Sequence, residues 1–408
     1  MKRTLITNIG MLATPQGTAA RGGRAQGEIC ILKNAWIFIE NDVIAQVGTG
    51  TAPAAADAQT INAGGKLVTP GLVDAHTHLI FGGWRQNELA LKLHGAGYLD
   101  ILAAGGGILS TMRATQSASE EQLEAKASAA LDEMLRFGTT TAEAKSGYGL
   151  STGEECKALR VIGKLQKHHV MDLAATFMGA HAVPEAYRDN RQGYLELLCE
   201  EMLPAVREQG IAEFCDVFCE KGVFSAEESR RILLTGRQHG LRPKIHADEI
   251  EAIGGSELAG EIGAVSAEHL IVCPPSGIAS MAEGGTVACC LPATSFYLGA
   301  AYAPVQDMVQ AGVPVAMATD FNPGSCPCLN MQLVISLGCL RYRLTPEQAL
   351  TAVTLNGAAA ICRADRIGSI EPGKQADILI WNAEDLDYIC YRLGSNLVDT
   401  VIKKGNVV

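Results

Sequence analysis

The sequence lacks an excess of positive charge, and it lacks any long apolar run. Its 408 residues include 33 lysines and arginines against 44 aspartates and glutamates, a net charge of −11. There is therefore no basic footprint for nucleic acid or for an anionic membrane surface. No apolar stretch reaches the roughly 18–20 residues that span a bilayer. The short apolar patch after Met1 is broken by Asn8 and Gly10, which is too weak for a signal peptide. We expect a cytoplasmic protein that binds neither nucleic acid nor membrane.

The cysteines lack the spacing of a disulfide framework or a zinc ribbon. Thirteen cysteines are an odd number in a long chain without a secretion signal, which favours reduced thiols. The pairs Cys289–Cys290 and Cys326–Cys328 do not have zinc-ribbon spacing. We expect most of the cysteines to be small core residues.

Two kinds of sequence are present, and together they predict two domains. Residues 1–66 and 370–408 contain short strands and turns, and they could combine into one small β-sandwich, since neither end is long enough alone. Residues 67–369 contain short apolar strands that alternate with helical sequence, which predicts an α/β fold, a TIM (β/α)8 barrel. A doubly wound sheet is the alternative, but no G-x-G-x-x-G follows the first strand. The eight predicted strands are residues 72–78, 139–144, 173–180, 214–218, 243–247, 264–270, 286–291 and 313–319.

Polar side chains end several of these strands, at the edge of a barrel where chemistry occurs. His76 and His78 end the first strand, and alternate strand residues point to the same side. His246 lies in the fifth strand, and Asp320 follows the eighth. Three imidazole nitrogens and one carboxylate oxygen suit Zn²⁺ or Fe²⁺ and leave a position for water, whose pKa such a metal lowers towards about 7. We predict one divalent metal per chain, held by these four residues.

Three residues are candidates for acid–base chemistry. Asp320 could bind the metal through one oxygen and take a proton from water with the other. Glu249 follows His246 by three residues and could orient water or carry protons. His269 in the sixth strand could donate to a carbonyl oxygen as charge develops there. The ordinary alternatives are a solvated loop acid for Glu249 and a satisfied core histidine for His269.

This ligand pattern, in a barrel flanked by a split sheet, resembles the amidohydrolase superfamily. Further segments, in order along nearly the whole chain, resemble one branch of that family. That resemblance implies hydrolysis of the cyclic amide of 4-imidazolone-5-propanoate to N-formimidoyl-L-glutamate, a step of histidine degradation. The matching segments are residues 81–85, 145–150, 177–184, 246–249, 267–270, 291–294 and 319–325.

The resemblance also implies a substrate pocket. Arginine offers a planar fork that suits the carboxylate of a propanoate group, but the sequence leaves open which groups meet the propanoate and which meet the ring. The residues that match the family's substrate contacts are Arg85, Tyr148, His181, Asn322, Gly324 and Ser325.

Other interpretations remain open from the sequence. The chain could be another metal-dependent hydrolase, such as a purine or pyrimidine deaminase, or a non-catalytic barrel scaffold. Lys221 lies near the place where two-metal family members hold a carboxylated lysine, but the closer resemblance is to a one-metal branch, so we expect it to be structural. Cys326 and Cys328 could compete as soft ligands, although the reversal at Pro323-Gly324 should carry them away. A homodimer is the commonest assembly for such enzymes.

Overall fold

The structure is a computed structural model that describes residues 2–54, 57–94 and 106–408, and both chain ends contribute to its first sheet. Strands are numbered along the chain. The first sheet has the order β16-β15-β14-β5-β1-β2-β3, with β4 paired to β1. Its strands are β1 (Arg3–Thr14), β2 (Cys30–Glu40), β3 (Val43–Thr49), β4 (Gln59–Asn62), β5 (Leu67–Pro70), β14 (Ile378–Trp381), β15 (Val398–Lys403) and β16 (Asn406–Val407).

The long strand β1 joins the two arms of this sheet. One edge of β1 pairs with β2, while the other edge pairs first with β4 and then with β5. The register shifts between Ile6 and Ile9, beside Asn8 with its positive φ of 53°. Side chains from both arms, including Ile37 and Ile378, share one buried cluster. The two chain ends thus pack on a common core, as expected of a small β-sandwich.

The second sheet is the predicted barrel. Eight parallel strands lie in sequential order, and a bridge between Thr77 and Phe321 closes the first strand against the last. All eight predicted strands are confirmed, although the first, the sixth and the eighth are clearly shorter than predicted. The strands are β6 (Leu72–Asp74), β7 (Thr139–Lys145), β8 (Asp172–Ala180), β9 (Phe214–Cys219), β10 (Arg242–Ala247), β11 (Ser266–His269), β12 (Val287–Cys290) and β13 (Val315–Met317).

Helices connect the barrel strands, and several of them bury one face. In α3 the buried residues Leu123, Ala127, Leu131 and Met134 recur every three or four positions, and a capping box at Ser119 starts the helix. The α-helices are α1 (Leu89–Leu93), α2 (Ile108–Ser117), α3 (Glu120–Arg136), α4 (Thr152–His168), α5 (Arg191–Glu196), α6 (Leu203–Gln209), α7 (Ala226–Gln238), α8 (Gly255–Glu261), α9 (Pro275–Gly284), α10 (Pro292–Leu298), α11 (Val305–Gln310), α12 (Met331–Tyr342), α13 (Pro346–Val353), α14 (Leu355–Ala360) and α15 (Leu386–Tyr391). A π-helical turn, Leu197–Met202, links α5 to α6.

Residues 346–360 form two short helices and not one continuous helix. Thr354 has φ −127° and ψ −88°, outside the helical region, and it separates α13 from α14. In the described part of the chain, no helix has both the length and the apolar character needed to cross a membrane. All thirteen cysteines are described, and none forms a disulfide.

An ion-pair cluster joins the amino-terminal end of the barrel strands to the first sheet. Asp172, the first residue of β8, accepts hydrogen bonds from Lys403 at 2.8 Å and from Lys404 at 2.6 Å. Asp377 also accepts from Lys403, at 2.7 Å. Because this end of the barrel is occupied, the carboxyl ends of the strands, where the predicted site residues lie, form the open end.

Candidate metal-dependent active site

The four predicted ligand residues converge at the open end of the barrel. Nε2 of His78 lies 3.3 Å from Nε2 of His246. Oδ1 of Asp320 lies 3.4 Å from Nε2 of His76 and 3.6 Å from Nε2 of His78. Metal–ligand bonds of about 2.0–2.1 Å in a tetrahedron place neighbouring ligand atoms roughly 3.3–3.4 Å apart. The four side chains are buried, and their spacing fits one metal ion.

Two of the histidines are oriented by carboxylates. Nδ1 of His76 lies 2.8 Å from Oε2 of Glu268, and Nδ1 of His246 lies 3.1 Å from Oδ1 of Asp216. A carboxylate at Nδ1 accepts its proton and leaves the Nε2 lone pair for a metal. The buried Nε2 of His76 has no hydrogen-bond partner among the described residues. A buried nitrogen without a partner is costly unless something binds it, so these residues fit the metal that the sequence predicts.

The electrostatics of the site also favour a cation. Burial lowers the pKa of His78 and of His246 well below the usual range, so both rings are neutral, as a ligand must be. In His76, burial and the Lys145 ammonium lower the pKa, but the carboxylates of Glu268 and Asp320 outweigh them and raise it to about 9. These carboxylates therefore favour positive charge at Nε2 of His76, which a metal ion can supply.

Asp320 is held by its neighbours in the ionised form. Burial alone would raise its pKa, but His76 and His269 outweigh burial and lower the pKa to about 2. Thr294 donates to Oδ2 at 2.7 Å, so Oδ1 faces the histidines. Thr294 is the last residue of the matching segment 291–294, and the sequence alone predicts no role for it.

Backbone bonds between the first and last barrel strands bring these ligands together. The amide of Asp320 donates to the carbonyl of His76 at 3.0 Å, and the amide of His78 donates to that of Phe321 at 2.9 Å. Below them, Asp74 accepts from both the amide and the hydroxyl of Thr319, at 3.0 and 2.6 Å. The convergence therefore follows from how the strand ends pair.

Five charged side chains fill the barrel beneath the ligands, and we call them the interior charge network: Glu143, Lys145, Asp216, Lys244 and Glu268. All are fully buried. Nζ of Lys145 lies 2.7 Å from Asp216, 2.8 Å from Glu143 and 3.1 Å from Glu268. Nζ of Lys244 lies 3.0 Å from Glu143 and 3.3 Å from Glu268. The carboxylates here also form candidate metal clusters with His76 or His246, but the two ammonium groups already supply positive charge to them.

No role for this network was predicted from the sequence, although the spacing of its charged residues could have indicated it. Glu143 and Lys145 lie two residues apart in an apolar strand, as do Lys244 and His246. Residues at this spacing point to the same side of a strand. Charged residues at such spacing in buried strands indicate an interior ionic cluster.

The two further acid–base candidates lie beside the ligands. Nε2 of His269 is 3.7 Å from Oε2 of Glu249, and the His269 ring centroid is 5.6 Å from that of His76. His269 forms one of the potential metal-holding clusters with His76 and Asp320. Burial raises the pKa of Glu249, which suits a group that has to accept and return a proton.

Tyr148 and His181 form an aromatic wall next to the ligands. The His181 ring stacks on His78 with centroids 4.8 Å apart, and Tyr148 lies 5.1 Å from His181. Burial lowers the pKa of His181 to about 4. The neutral ring donates from Nδ1 to the carbonyl of Gly147 at 3.0 Å, so Nε2 is left as a hydrogen-bond acceptor.

The loop that carries Tyr148 is organised by a carboxylate that the sequence analysis did not single out. Glu155, fully buried in the first turn of α4, accepts from the amides of Gly147, Gly149 and Leu150 at 3.0, 2.8 and 2.8 Å. Three charge-assisted bonds to successive loop amides fix the path of the backbone. Glu155 therefore sets the position of Tyr148.

Arg85 lies against the loop of residues 322–325. Its Nε and Nη2 donate to the two carboxylate oxygens of Glu88, both at 2.9 Å. A Cβ at Gly324 would overlap Nη1 of Arg85, so a larger residue there would require the guanidinium group to shift. The predicted pocket residues Arg85 and Gly324 are therefore neighbours in space.

The Asn322 side chain is engaged within its own loop. Oδ1 accepts from the amides of Gly324 and Ser325 at 2.8 and 2.7 Å. Nδ2 donates to the carbonyl of Asp320 at 2.7 Å and to the hydroxyl of Ser325 at 2.8 Å. The sequence suggested that Asn322 and the Gly324 amide could bond a substrate carboxylate, whereas in the structure these groups bond one another and give the loop its shape.

Lys221, predicted to be structural, is exposed and pairs with Glu251 at 2.8 Å. Cys326 and Cys328 belong to none of the potential metal-holding clusters found in the described ranges.

Comparison with known proteins places this barrel in a family. The amidohydrolase family model matches residues 67–408. The guanine deaminase of E. coli has the same fold, with a TM-score of 0.75 at 16% identity over 100% of this chain and 99% of that one. The atrazine chlorohydrolase of Arthrobacter aurescens TC1, solved with zinc, gives a TM-score of 0.74 at 18% identity over 99% and 94%. The chain belongs to the amidohydrolase family.

Closer relatives define the branch of that family. Imidazolonepropionase of Alkaliphilus metalliredigens is 50% identical over 100% of this chain and 98% of its own length. Imidazolonepropionase of Streptococcus gordonii is 50% identical over 95% and 93%. The branch predicted from the sequence is thus confirmed: among amidohydrolases, this chain groups with the imidazolonepropionases and is a hydrolase.

Proposed function

We propose that the chain holds one divalent metal ion, Zn²⁺ or Fe²⁺, between His76, His78, His246 and Asp320, and hydrolyses the ring amide of 4-imidazolone-5-propanoate. The observation that carries the proposal is the proximity of three imidazole nitrogens and one carboxylate oxygen, in a chain 50% identical to an imidazolonepropionase. Nε2 of His78 lies 3.3 Å from Nε2 of His246, and Oδ1 of Asp320 lies 3.4 and 3.6 Å from Nε2 of His76 and of His78. A metal in such a site polarises a carbonyl and lowers the pKa of a water molecule. The zinc bound by a structural relative makes Zn²⁺ a natural candidate.

The reaction adds the elements of water across one bond. The water oxygen bonds to the ring carbonyl carbon C4, and the C4–N3 bond breaks. C4 becomes the α-carboxylate of the product, while N3 takes a proton and becomes the terminal nitrogen of the formimidoyl group. The product is N-formimidoyl-L-glutamate, and no ammonia is released.

The chain's own groups supply the proton transfers. Ionised Asp320 accepts the proton of the attacking water, and its Oδ2 stays oriented by Thr294. Glu249, whose pKa burial raises, carries a proton to the leaving nitrogen. His269 donates to the carbonyl oxygen as negative charge develops there.

The substrate is oriented by residues on the loops. Arg85 has donors beyond the two that Glu88 engages, and these meet the propanoate carboxylate. His181 accepts a hydrogen bond from a ring N–H through Nε2, and Tyr148 packs beside the ring. Gly324 leaves room for the guanidinium, and Asn322 and Ser325 hold the loop against it.

The test combines metal analysis with a turnover assay. Purified protein should contain about one zinc or iron per chain, convert 4-imidazolone-5-propanoate to N-formimidoyl-L-glutamate, and release no ammonia. The metal-free protein should be inactive, and added metal should restore activity. Fully metal-loaded protein that leaves this substrate unchanged would contradict the substrate assignment. Stoichiometric ammonia from a purine or pyrimidine would indicate a deaminase instead.

Two features of the assembly are also part of the proposal. We propose that residues 1–66 and 370–408 form one domain, with β5 at its junction to a barrel domain of residues 67–369. We further propose a homodimer, the commonest symmetric assembly. Limited proteolysis tests the domain division, and sedimentation equilibrium tests the dimer.

A further inference from the structure

Lys145 contacts three carboxylates in the centre of the barrel. Its ammonium group donates hydrogen bonds to Asp216 at 2.7 Å and to Glu268 at 3.1 Å. It also forms an ion pair with Glu143 at 2.8 Å. The side chain is fully buried, and it has no part in the proton transfers described above.

Lys145 links the two carboxylates that orient metal ligands. Oε2 of Glu268 receives both Nδ1 of His76, at 2.8 Å, and Nζ of Lys145, at 3.1 Å. Asp216 places Oδ1 at Nδ1 of His246 and Oδ2 at Nζ of Lys145, at 3.1 and 2.7 Å. The Lys145 ammonium group is therefore connected to His76 through the Glu268 carboxylate. It is connected to His246 through the Asp216 carboxylate.

The charges explain why this position needs a cation. Glu143, Asp216 and Glu268 carry three negative charges into a dry interior, where like charges repel strongly. Lys244 offsets part of that charge. Among the described carboxylates it contacts Glu143 and Glu268, and it also donates to the carbonyls of Ala75 and Ala360. Without Lys145, Asp216 would lose the ammonium that fixes it, and Glu268 would lose the one that shares Oε2 with His76.

We propose that Lys145 is a positioning residue for the metal centre, because its ammonium group holds Asp216 and Glu268 where they orient His246 and His76. The proposal rests on the proposed metal site and deepens it. Lys145 acts through the carboxylates and does not touch the substrate. Its loss should weaken metal binding even if all four ligands are intact.

The experiment compares Lys145→Met with the matched control Lys244→Met. Both remove a buried ammonium from the interior charge network, but only Lys145 contacts Asp216. Zinc affinity is measured by competition with a chelator, and thermal unfolding is recorded for both variants. Loss of a group that orients a metal ligand typically costs 10–100-fold in affinity. We expect that loss for Lys145→Met and a change of only a few-fold for Lys244→Met.

A spectroscopic readout separates positioning from a general loss of stability. In zinc-loaded protein, Nδ1 protons of His76 and His246 held by carboxylates should give downfield proton resonances. We expect Lys145→Met to shift or broaden both resonances and Lys244→Met to retain them. Equal losses of affinity in the two variants, or unchanged resonances in Lys145→Met, would overturn the proposal.

A double-mutant cycle keeps the test decisive if Lys145→Met alone folds poorly. Asp216→Asn removes one carboxylate that Lys145 fixes, and Lys145→Met with Asp216→Asn removes both charges of that pair. Because Lys145 acts through Asp216 and Glu268, the double variant should lose less zinc affinity than the sum of the two single losses, whereas fully additive losses would contradict the idea. Wild-type protein that binds zinc but fails to turn over the substrate would refute the proposed reaction and leave this inference intact.

Discussion

The histidines that face the predicted metal lie at strand ends, whereas the residues predicted to contact the substrate lie mainly on loops. His76 and His246 are oriented by carboxylates, which are held in turn by buried ammonium groups. The Tyr148 loop is shaped instead by backbone amides that donate to Glu155. Among the described residues, Arg85 is held by the carboxylate of Glu88.

This difference has a physical consequence. In the interior charge network, buried carboxylates and ammonium groups contact one another, so removal of one leaves its partner buried with less opposite charge. On the loops, the anchoring groups mainly set the path of the backbone. Changes at the strand ends should therefore alter metal content, and changes on the loops should alter substrate binding at constant metal content.

The largest effect is expected from the double substitution His76→Asn with His78→Asn. It removes two of the four ligands, so bound metal and activity should be lost together, by more than the roughly 100-fold that loss of an orienting group costs. Metal analysis and turnover measure the loss, and circular dichroism should report a folded barrel. His168→Asn, at an exposed position, is the control. A double variant that keeps its metal would contradict the expectation that changes at the strand ends alter metal content.

Arg85→Ala should raise KM at constant metal content. A hydrogen bond to a charged group contributes about 1.5–3 kcal/mol, which corresponds to roughly a 10- to 100-fold rise in KM. Steady-state kinetics and metal analysis on the same sample test this, with the exposed Arg188→Ala as control. Loss of metal in Arg85→Ala would mean that loop and strand ends are not separable.

Glu155→Gln should have a smaller effect, on both stability and KM. Glutamine offers one acceptor oxygen where three loop amides now donate, so buried N–H groups lose partners at about 1–3 kcal/mol. The unfolding free energy should fall and KM should rise, while metal content stays constant. Glu154→Gln, one residue earlier in α4 and only partly buried, is the matched control. An unchanged KM would show that the Tyr148 loop keeps its shape without this carboxylate.

The smallest effect is expected at the far end of the barrel, for Asp172→Asn. Burial alone would raise the pKa of Asp172, but Lys403 and Lys404 outweigh it and lower the pKa from 3.8 to about 2. The folded state therefore binds this proton less readily than the unfolded state. The stabilisation is complete above about pH 4 and is lost as the pH falls towards 2.

The measurement is the difference in unfolding free energy between wild type and Asp172→Asn, followed from pH 5.5 to pH 3. The difference should shrink as the pH falls, and salt should also reduce it because Asp172 is partly exposed. Metal content and KM should not change. A change in metal content or in KM would show that the two ends of the barrel are energetically coupled.

The barrel and the proximity of the four proposed ligand residues could be predicted because both leave local signals in the sequence. Parallel strands that are buried on both faces are short apolar runs, and the ligands end those runs. Three strands are clearly shorter than predicted: the first, the sixth and the eighth. In the first strand, the chain after Asp74 bonds to the residues around Phe321 instead of continuing a regular ladder. That partner lies far along the sequence, so the true end of the strand is not visible locally.

The interior charge network could not be assembled from the sequence in the same way. A lysine is almost never fully buried unless it is paired. The carboxylates that pair with Lys145 belong to Asp216 and Glu268, which lie 71 and 123 residues further along the chain. Likewise, the sequence shows Asn322 as a polar loop residue but not that its amide bonds its own loop. The interruption between α13 and α14 lies at Thr354, which is neither proline nor glycine, so the residue type does not indicate it.

Because the first and last barrel strands bond to each other, metal binding depends on how much of the chain has been synthesised. His76 and His78 are synthesised early, but Asp320 and the backbone groups that hold them arrive after most of the barrel has been made. A nascent chain that ends before Asp320 has neither the fourth ligand nor the bridge that closes the sheet. Since an ion that binds only the closed form stabilises it by mass action, metal uptake would report that the ring of strands has closed.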